Sequence, residues 1–217
     1  MDKPLIVYGA KGSGSVPAEA ALTLAGVPFE VVEAAAWRSD EERAKVAKVN
    51  PILQVPAMVL PSGEVLTESA AILIWIAEQY PQAGLGPPPG DPRRAQFLRW
   101  MVFVPAAIYS MFWVRDNPMR LAADEAAAKV VLERTKERIA ACWRAMDAQV
   151  TPGRYLLGEE LSVLDLYVAV ASRWTPKRER FYEEAPKMAE VVRRVDQDAR
   201  LQAFWAERFP FEPPYWP

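Results

Sequence analysis

The apolar positions of the chain change period along its length, and each change marks an element. Leu5-Ile6-Val7-Tyr8 reads as a strand, Pro17 to Ala25 as a helix, and Phe29-Glu30-Val31-Val32 as a second strand. Ser39-Asp40-Glu41-Glu42 has the form of a capping box, which opens a short helix reaching about Val49 before Asn50-Pro51 stops it. Ala57-Met58-Val59-Leu60 and Glu64-Val65-Leu66-Thr67, joined through Pro61-Ser62-Gly63, read as a hairpin. The apolar run Ala70-Ala71-Ile72-Leu73-Ile74-Trp75-Ile76-Ala77 then predicts a helix from about Ser69 to Tyr80.

Strand, helix, strand, helix, hairpin and helix, in that order, predict a thioredoxin-like α/β domain over residues 1–82. Gly84 to Pro92 carries four prolines and two further glycines, so residues 83–92 read as a linker. Beyond it, residues 93–217 are expected to form an all-α domain. In Ala126 to Val150, for example, Leu132, Ile139, Cys142, Trp143, Met146 and Val150 recur at helical spacing among charged residues. Leu161 and Leu166 stand at the positions of a hydrophobic staple around Ser162-Val163-Leu164-Asp165, where Asp165 can reach back to cap its helix.

Composition narrows the function classes. With 217 residues and an apolar fraction of 51 %, the chain can build sizeable cores and is expected to be a soluble globular protein. Lys and Arg number 26 against 28 Asp and Glu, which gives no electrostatic case for nucleic acid or an anionic membrane. Trp100 to Val114 is the longest apolar stretch, but it contains Pro105 and is shorter than the roughly 20 residues of a membrane span. One cysteine, Cys142, excludes an internal disulfide, and Met1-Asp2-Lys3-Pro4 lacks signal-peptide character, so a cytoplasmic setting is expected. There is no histidine, which excludes His-based triads, His-ligated metals and His general bases.

The candidate chemistry begins at Val55-Pro56-Ala57. Proline biases the residue before it toward extended backbone, so Val55 can offer its N–H and C=O to an extended peptide as a strand edge does. Glu68-Ser69 precede a helix, where a hydroxyl and unpaired N–H groups can receive a carboxylate while Glu68 pairs with an ammonium. A single amino-acid head group would satisfy both. Each piece alone has a structural reading as well: Val-Pro is common in loops, and Ser at a helix start is an N-cap.

Taken together the chain resembles the cytosolic glutathione S-transferases over essentially its whole length. The resemblance rests on Asn50-Pro51-Ile52-Leu53-Gln54-Val55-Pro56, on Glu68-Ser69-Ala70-Ala71-Ile72, and on Tyr155-Leu156-Leu157-Gly158 leading into Ser162-Val163-Leu164-Asp165. It implies glutathione as cosubstrate with no metal, a helical domain that supplies most of an apolar acceptor pocket, and a homodimer. It further implies a cis Pro56, paired backbone bonds from Val55, Gln54 at the glycyl end, and Glu68 and Ser69 at the γ-glutamyl end. Two departures stand out: Leu53 replaces a frequent glycine, and the glycyl carboxylate has only Arg38 and Lys48 as candidate cations.

Such an enzyme must make a thiolate. A thiol of pKa near 8.5 is only about 3 % ionised at pH 7, and a shift of about two units requires roughly 2.7 kcal/mol of selective stabilisation. The donors are expected in Gly9-Ala10-Lys11-Gly12-Ser13-Gly14-Ser15-Val16-Pro17, with Ser13 first and Ser15 second, where a turn residue and an N-cap are the structural alternatives. Gly14 occupies the place where some bacterial relatives carry a reactive cysteine. Trp100, Phe103, Tyr109 and Trp113 are the candidates for the acceptor pocket, with Trp174 and the tail residues Phe211, Tyr215 and Trp216 as further cover; core packing is the competing reading of each. Cys142 reads as an inert core residue. Conjugation to an apolar electrophile leads, while isomerase, dehalogenase or peroxidase chemistry on the same site, and a non-catalytic interaction module, remain open.

Overall fold

The computed structural model describes residues 3–174 and 177–210. The chain begins β1 (Leu5–Gly9), α1 (Val16–Ala25), β2 (Phe29–Glu33), α2 (Asp40–Ala47), β3 (Ala57–Val59), β4 (Val65–Leu66) and α3 (Ser69–Gln79). The four strands form one sheet in the order β2-β1-β3-β4. β1 runs parallel to β2, with Val7 opposite Val31, and antiparallel to β3, with Val7 opposite Met58. β3 continues antiparallel to β4. This is the thioredoxin-like arrangement that the order of elements predicts.

The central strands bury Val7, Ala57 and Met58 completely, together with Leu22 of α1 and Ile72, Leu73 and Ile76 of α3. Each of these Val, Leu, Ile and Met side chains contributes about 1.5–3 kcal/mol on leaving water. A smaller cluster of Ala34, Val46 and Val55 is covered by Tyr8 and Ala36. The N-terminus of α2 differs from its sequence signature. Ser39 accepts from the Glu42 N–H, but the Glu42 carboxylate turns away to the Ala35 N–H, at 2.6 Å, and to Lys45, so only half of the capping box forms.

The helical unit comprises α4 (Arg94–Phe103), α5 (Ser110–Asp116), α6 (Glu125–Gln149), α7 (Val163–Ala171), α8 (Lys177–Glu184) and most of α9 (Pro186–Asp196). Between α4 and α5 the chain stays helical but widens to a π-helical stretch, Val104–Tyr109. Pro105 lies in that stretch, where the wider turn tolerates a missing N–H. By length and composition Arg94–Asp116 could cross a membrane, yet its Phe97, Trp100, Met101, Val104, Ile108 and Phe112 are core residues of this unit. Cys142 is buried on α6 and burial pushes its thiol up, which suits an inert packing residue.

The chain then ends its described part in α10 (Gln202–Arg208), and this corrects the expected domain limits. The division falls between Pro88 and Pro89, inside the expected linker, but the described residues from Asp196 to Pro210 belong to the first unit and not to the helical one. The cause is specific bonding: the Gly12 N–H donates to the Arg208 carbonyl at 2.9 Å, and the Arg208 side chain reaches Glu19 and Glu33.

Two buried carboxylates hold the helical unit. Asp147 of α6 accepts from the Met188 N–H at 2.8 Å and so caps α9. Asp165 accepts from the Leu156 N–H and the Ser162 N–H, each at 2.8 Å, and from the Ser162 hydroxyl at 2.7 Å. Burial raises Asp165 to about 6 against the pull of those three bonds. An Asp165→Ala variant is expected to lose about 2–4 kcal/mol of stability in urea titrations, since its donors are left unpaired. Because the folded pKa is raised, the folded state holds the proton more firmly than the unfolded one between pH ~4 and ~6. The stability gap between the parent and Asp165→Asn should therefore shrink as pH rises through about 6; a gap that widens would contradict the assignment.

Candidate functional site

Strand direction gathers the predicted site at one end of the sheet. β1 and β2 are parallel, so Gly9 and Glu33 end together, and the Ala34 N–H donates to the Gly9 carbonyl at 2.8 Å. Tyr8 pairs with Ala57, which sets Val55-Pro56 beside the start of the Ala10–Ser15 loop. Met58 pairs with Leu66, which brings Thr67, Glu68 and the start of α3 to that same end. In α/β sheets the ends from which such loops emerge are where ligands bind.

The Val55-Pro56 peptide is cis, and neither the N–H nor the C=O of Val55 has a partner among the described residues. Its side chain is buried, so the strand-like edge is fixed while its polar groups are left unused. Asn50 braces the approach: its Nδ2 donates to the Gln54 carbonyl at 2.9 Å and its Oδ1 accepts from the Ile52 N–H at 3.2 Å. Leu53, where a glycine is frequent, takes the left-handed conformation itself at φ 62. Glu68 also has a positive φ, 65, immediately before buried Ser69. Strained backbone of this kind costs on the order of 1–3 kcal/mol and collects at functional sites. Gln54, Glu68 and Arg38 are all exposed, with Arg38 in the segment between β2 and α2.

The serine loop is more tightly built than its sequence suggests. Ser13 is 7 % exposed, and its Oγ accepts from the N–H groups of Ala10 at 3.1 Å and Ser15 at 3.3 Å. Ser15 is wholly buried at the N-cap of α1 but makes no cap bond with its side chain. Its Oγ donates instead to Glu19 Oε1 at 2.5 Å and lies 3.0 Å from Ser13 Oγ. A Cβ at Gly9 would lie 2.1 Å from that Oγ, so only glycine lets Ser15 sit there.

Glu19 is fully buried and meets Arg208 through Nε at 2.5 Å and Nη2 at 3.2 Å, while Arg208 Nη1 also donates to Glu33. Burial opposes the Arg208 charge, but Glu19 and Glu33 outweigh it and hold the guanidinium above its ordinary value. Sequence reasoning missed these residues and Asn50. Glu19 had left a signal, as the one charge in the apolar helix Val16-Pro17-Ala18-Glu19-Ala20-Ala21-Leu22, because such a charge needs a partner.

The helical unit does not gather the four aromatic candidates. Trp100 is buried edge-on against Phe103, at 5.3 Å between ring centroids. Trp113 is 46 % exposed, with the Arg120 guanidinium over its ring. Tyr109 instead packs with Trp174 at 4.9 Å and Phe112 at 5.9 Å, and burial pushes its phenol well above the usual range. Phe211, Tyr215 and Trp216 lie outside the described residues. Among the described residues, no group of three or more His, Cys, Asp or Glu side chains could hold a metal ion.

The comparisons with known proteins agree with this geometry. Residues 12–79 match the glutathione S-transferase N-terminal domain and residues 115–208 the C-terminal domain. An uncharacterised GST-like protein, YncG of Escherichia coli, is 33 % identical over 199 residues, covering 90 % of this chain and 94 % of its own. Glutathione S-transferase GST-4.5 of Xanthomonas campestris is 27 % identical over 91 % of this chain and 95 % of its own. A glutathione transferase homologue from Sulfitobacter, solved with bound glutathione, superposes with a TM-score of 0.82 at 25 % identity, over 95 % of this chain and 98 % of that one. A sheet end that gathers an unpaired Val55 edge, a head-group position and a serine loop, on a chain so closely matched in both halves, places this protein in the glutathione S-transferase family.

Proposed function

We propose that this protein binds glutathione at the sheet end and activates its sulfur for attack on a small apolar electrophile. The observation that carries the reading is the free N–H and C=O of Val55 before cis Pro56, an edge suited to the cysteinyl part of the tripeptide. The relative from Sulfitobacter and a sphingomonad glutathione S-transferase were each solved with glutathione, which supports the ligand. On this reading Glu68 takes the γ-glutamyl ammonium, while Ser69 at the start of α3 takes the carboxylate. Gln54 and Arg38 serve the glycyl end.

The sulfur then faces the Ala10–Ser15 loop. Ser13 is the donor we assign to it, and Ser15, wholly buried and bonded to Glu19, supports Ser13 from behind. The Gly14 N–H, which has no partner among the described residues, supplies a second donor. Two hydrogen bonds to an anion together with the positive end of α1 suffice for the roughly 2.7 kcal/mol that a shift of about two units requires. The chemistry that follows is nucleophilic: the thiolate forms the carbon–sulfur bond as the electrophile's leaving group departs or its double bond takes up the electron pair.

For the acceptor we assign the Tyr109, Phe112 and Trp174 cluster of the helical unit as apolar surface. Trp100, Phe103 and Trp113 lie around that helix as packing and rim. The Tyr109 hydroxyl has no partner among the described residues and stays protonated at neutral pH, so it is a donor for a polarised substrate atom. A homodimer fits Leu98 and Val102, which stand one turn apart and exposed on α4.

Isothermal titration should give one glutathione per chain at micromolar to millimolar affinity, and no heat at millimolar ligand would remove the reading. Ser13→Ala should lower kcat for conjugation of a chlorodinitrobenzene-type electrophile by about 100-fold. A full rate in that variant would discard Ser13. In sedimentation velocity the protein should run at about twice the chain mass of 24.3 kDa, and a monomer at tens of micromolar would contradict the dimer.

A further inference from the structure

Every polar group of Asn50 is engaged by its near neighbours in the chain. Its N–H donates to the Val46 carbonyl at 2.8 Å, which ties it to the end of α2, and its own carbonyl accepts from the Leu53 N–H at 3.0 Å. The side chain closes the turn from within: Oδ1 accepts from the Ile52 N–H at 3.2 Å, and Nδ2 donates to the Gln54 carbonyl at 2.9 Å. Asn50 is only 5 % exposed, while Pro51, Ile52 and Gln54 around it lie on the surface. A surface turn does not need a buried amide to satisfy its backbone, because water serves an exposed carbonyl as well. The clamp therefore fixes a shape.

That shape decides how much of the edge a ligand can use. In an antiparallel ladder the next hydrogen-bonded pair beyond Val55 falls two residues away, at Leu53 or Ala57. The Leu53 N–H is already given to Asn50, and at φ 62 Leu53 is out of strand geometry. On the other side Pro56 has no N–H to offer, and Ala57 is paired with Tyr8. The Gln54 carbonyl is held by Asn50 Nδ2. What remains is a single rung, the N–H and C=O of Val55, and the turn that isolates it hangs on one amide side chain.

We infer that Asn50 is a positioning residue for the ligand: by holding the Gln54 carbonyl back and Leu53 out of the strand, it presents Val55 as a one-residue edge to the middle residue of a short peptide. The inference rests on the glutathione reading of Val55, and the test separates the two. It concerns affinity and not the sulfur, since the bonds of Asn50 all stay within Val46 to Gln54, away from the serine loop.

Asn50→Ala removes both side-chain bonds, whereas Asn50→Ser keeps a hydroxyl that can accept from the Ile52 N–H but falls short of the Gln54 carbonyl. In titration calorimetry with S-methylglutathione, which has no thiol to ionise, both variants should bind about ten-fold more weakly than the parent, still with one ligand per chain. KM for glutathione should rise by the same factor, while kcat at saturating glutathione stays within about two-fold. A brace that served the fold alone would act differently: it would lower the urea midpoint and the number of binding-competent molecules, and leave Kd and KM of the folded remainder in place.

Folded variants that both keep the parent's Kd would overturn the inference and leave the glutathione reading standing. Parent-like binding by Asn50→Ser alone would overturn it too, since the bond to Gln54 is what that variant lacks. Failure of both to fold, or a kcat that falls as far as KM rises, would make Asn50 a structural residue and overturn it equally. A parent protein that binds neither glutathione nor its S-methyl derivative would overturn both the inference and the reading.

Discussion

The pairing of β3 with strands on both sides is the constraint on which the site depends. β3 has only three residues, yet Tyr8 opposite Ala57 and Met58 opposite Leu66 fix where Ala10, Val55 and Glu68 emerge. A slip of one residue would turn buried Met58 to the other face, so the hydrophobic core itself specifies the register. Once the register is set, three loops from distant parts of the chain converge without further design. The conformations of Leu53 and Glu68 are then tolerated because the strands and α3 hold both ends of each turn.

Buried charge is used differently in the two units. In the helical unit, Asp165 gathers two N–H groups and one hydroxyl but no cation, so desolvation dominates and its proton is held more firmly than usual. In the first unit, Glu19 faces a guanidinium and a hydroxyl, and Arg208 adds Glu33 at its open end. Breaking such a pair from one side costs on the order of 3–5 kcal/mol, far more than an exposed ion pair contributes. That difference explains why Asp196 to Pro210 is part of the thioredoxin-like unit although its composition is helical and charged.

Much of the fold was legible because it is written in local patterns. Short apolar and β-branched runs gave the strands, and capping residues gave Ser39 and Ser162. The half-formed box at Ser39 shows the limit of such patterns, since the Glu42 carboxylate found a better donor, the Ala35 N–H, seven residues away. At the candidate site, Val55-Pro56, Glu68-Ser69 and Ser13 were readable as residue types suited to a peptide, a head group and a sulfur. Arg208 was not, because its partner Glu19 lies 189 residues back and nothing local to either names the other. The aromatic segment was legible as apolar but not as a surface: Trp100 of α4 is buried, while Tyr109, at the end of the π-helical stretch, packs with Trp174.

The central claim is that one ligand touches the edge at Val55, the turn at Glu68 and the serine loop together. Amide nitrogen–proton correlation spectra of the labelled protein, titrated with glutathione, test this most directly. The account predicts that the peaks of Ser13, Gly14, Val55 and Ser69 move along one common binding curve. Shifts confined to residues away from that sheet end, or no shifts at millimolar glutathione, would contradict it.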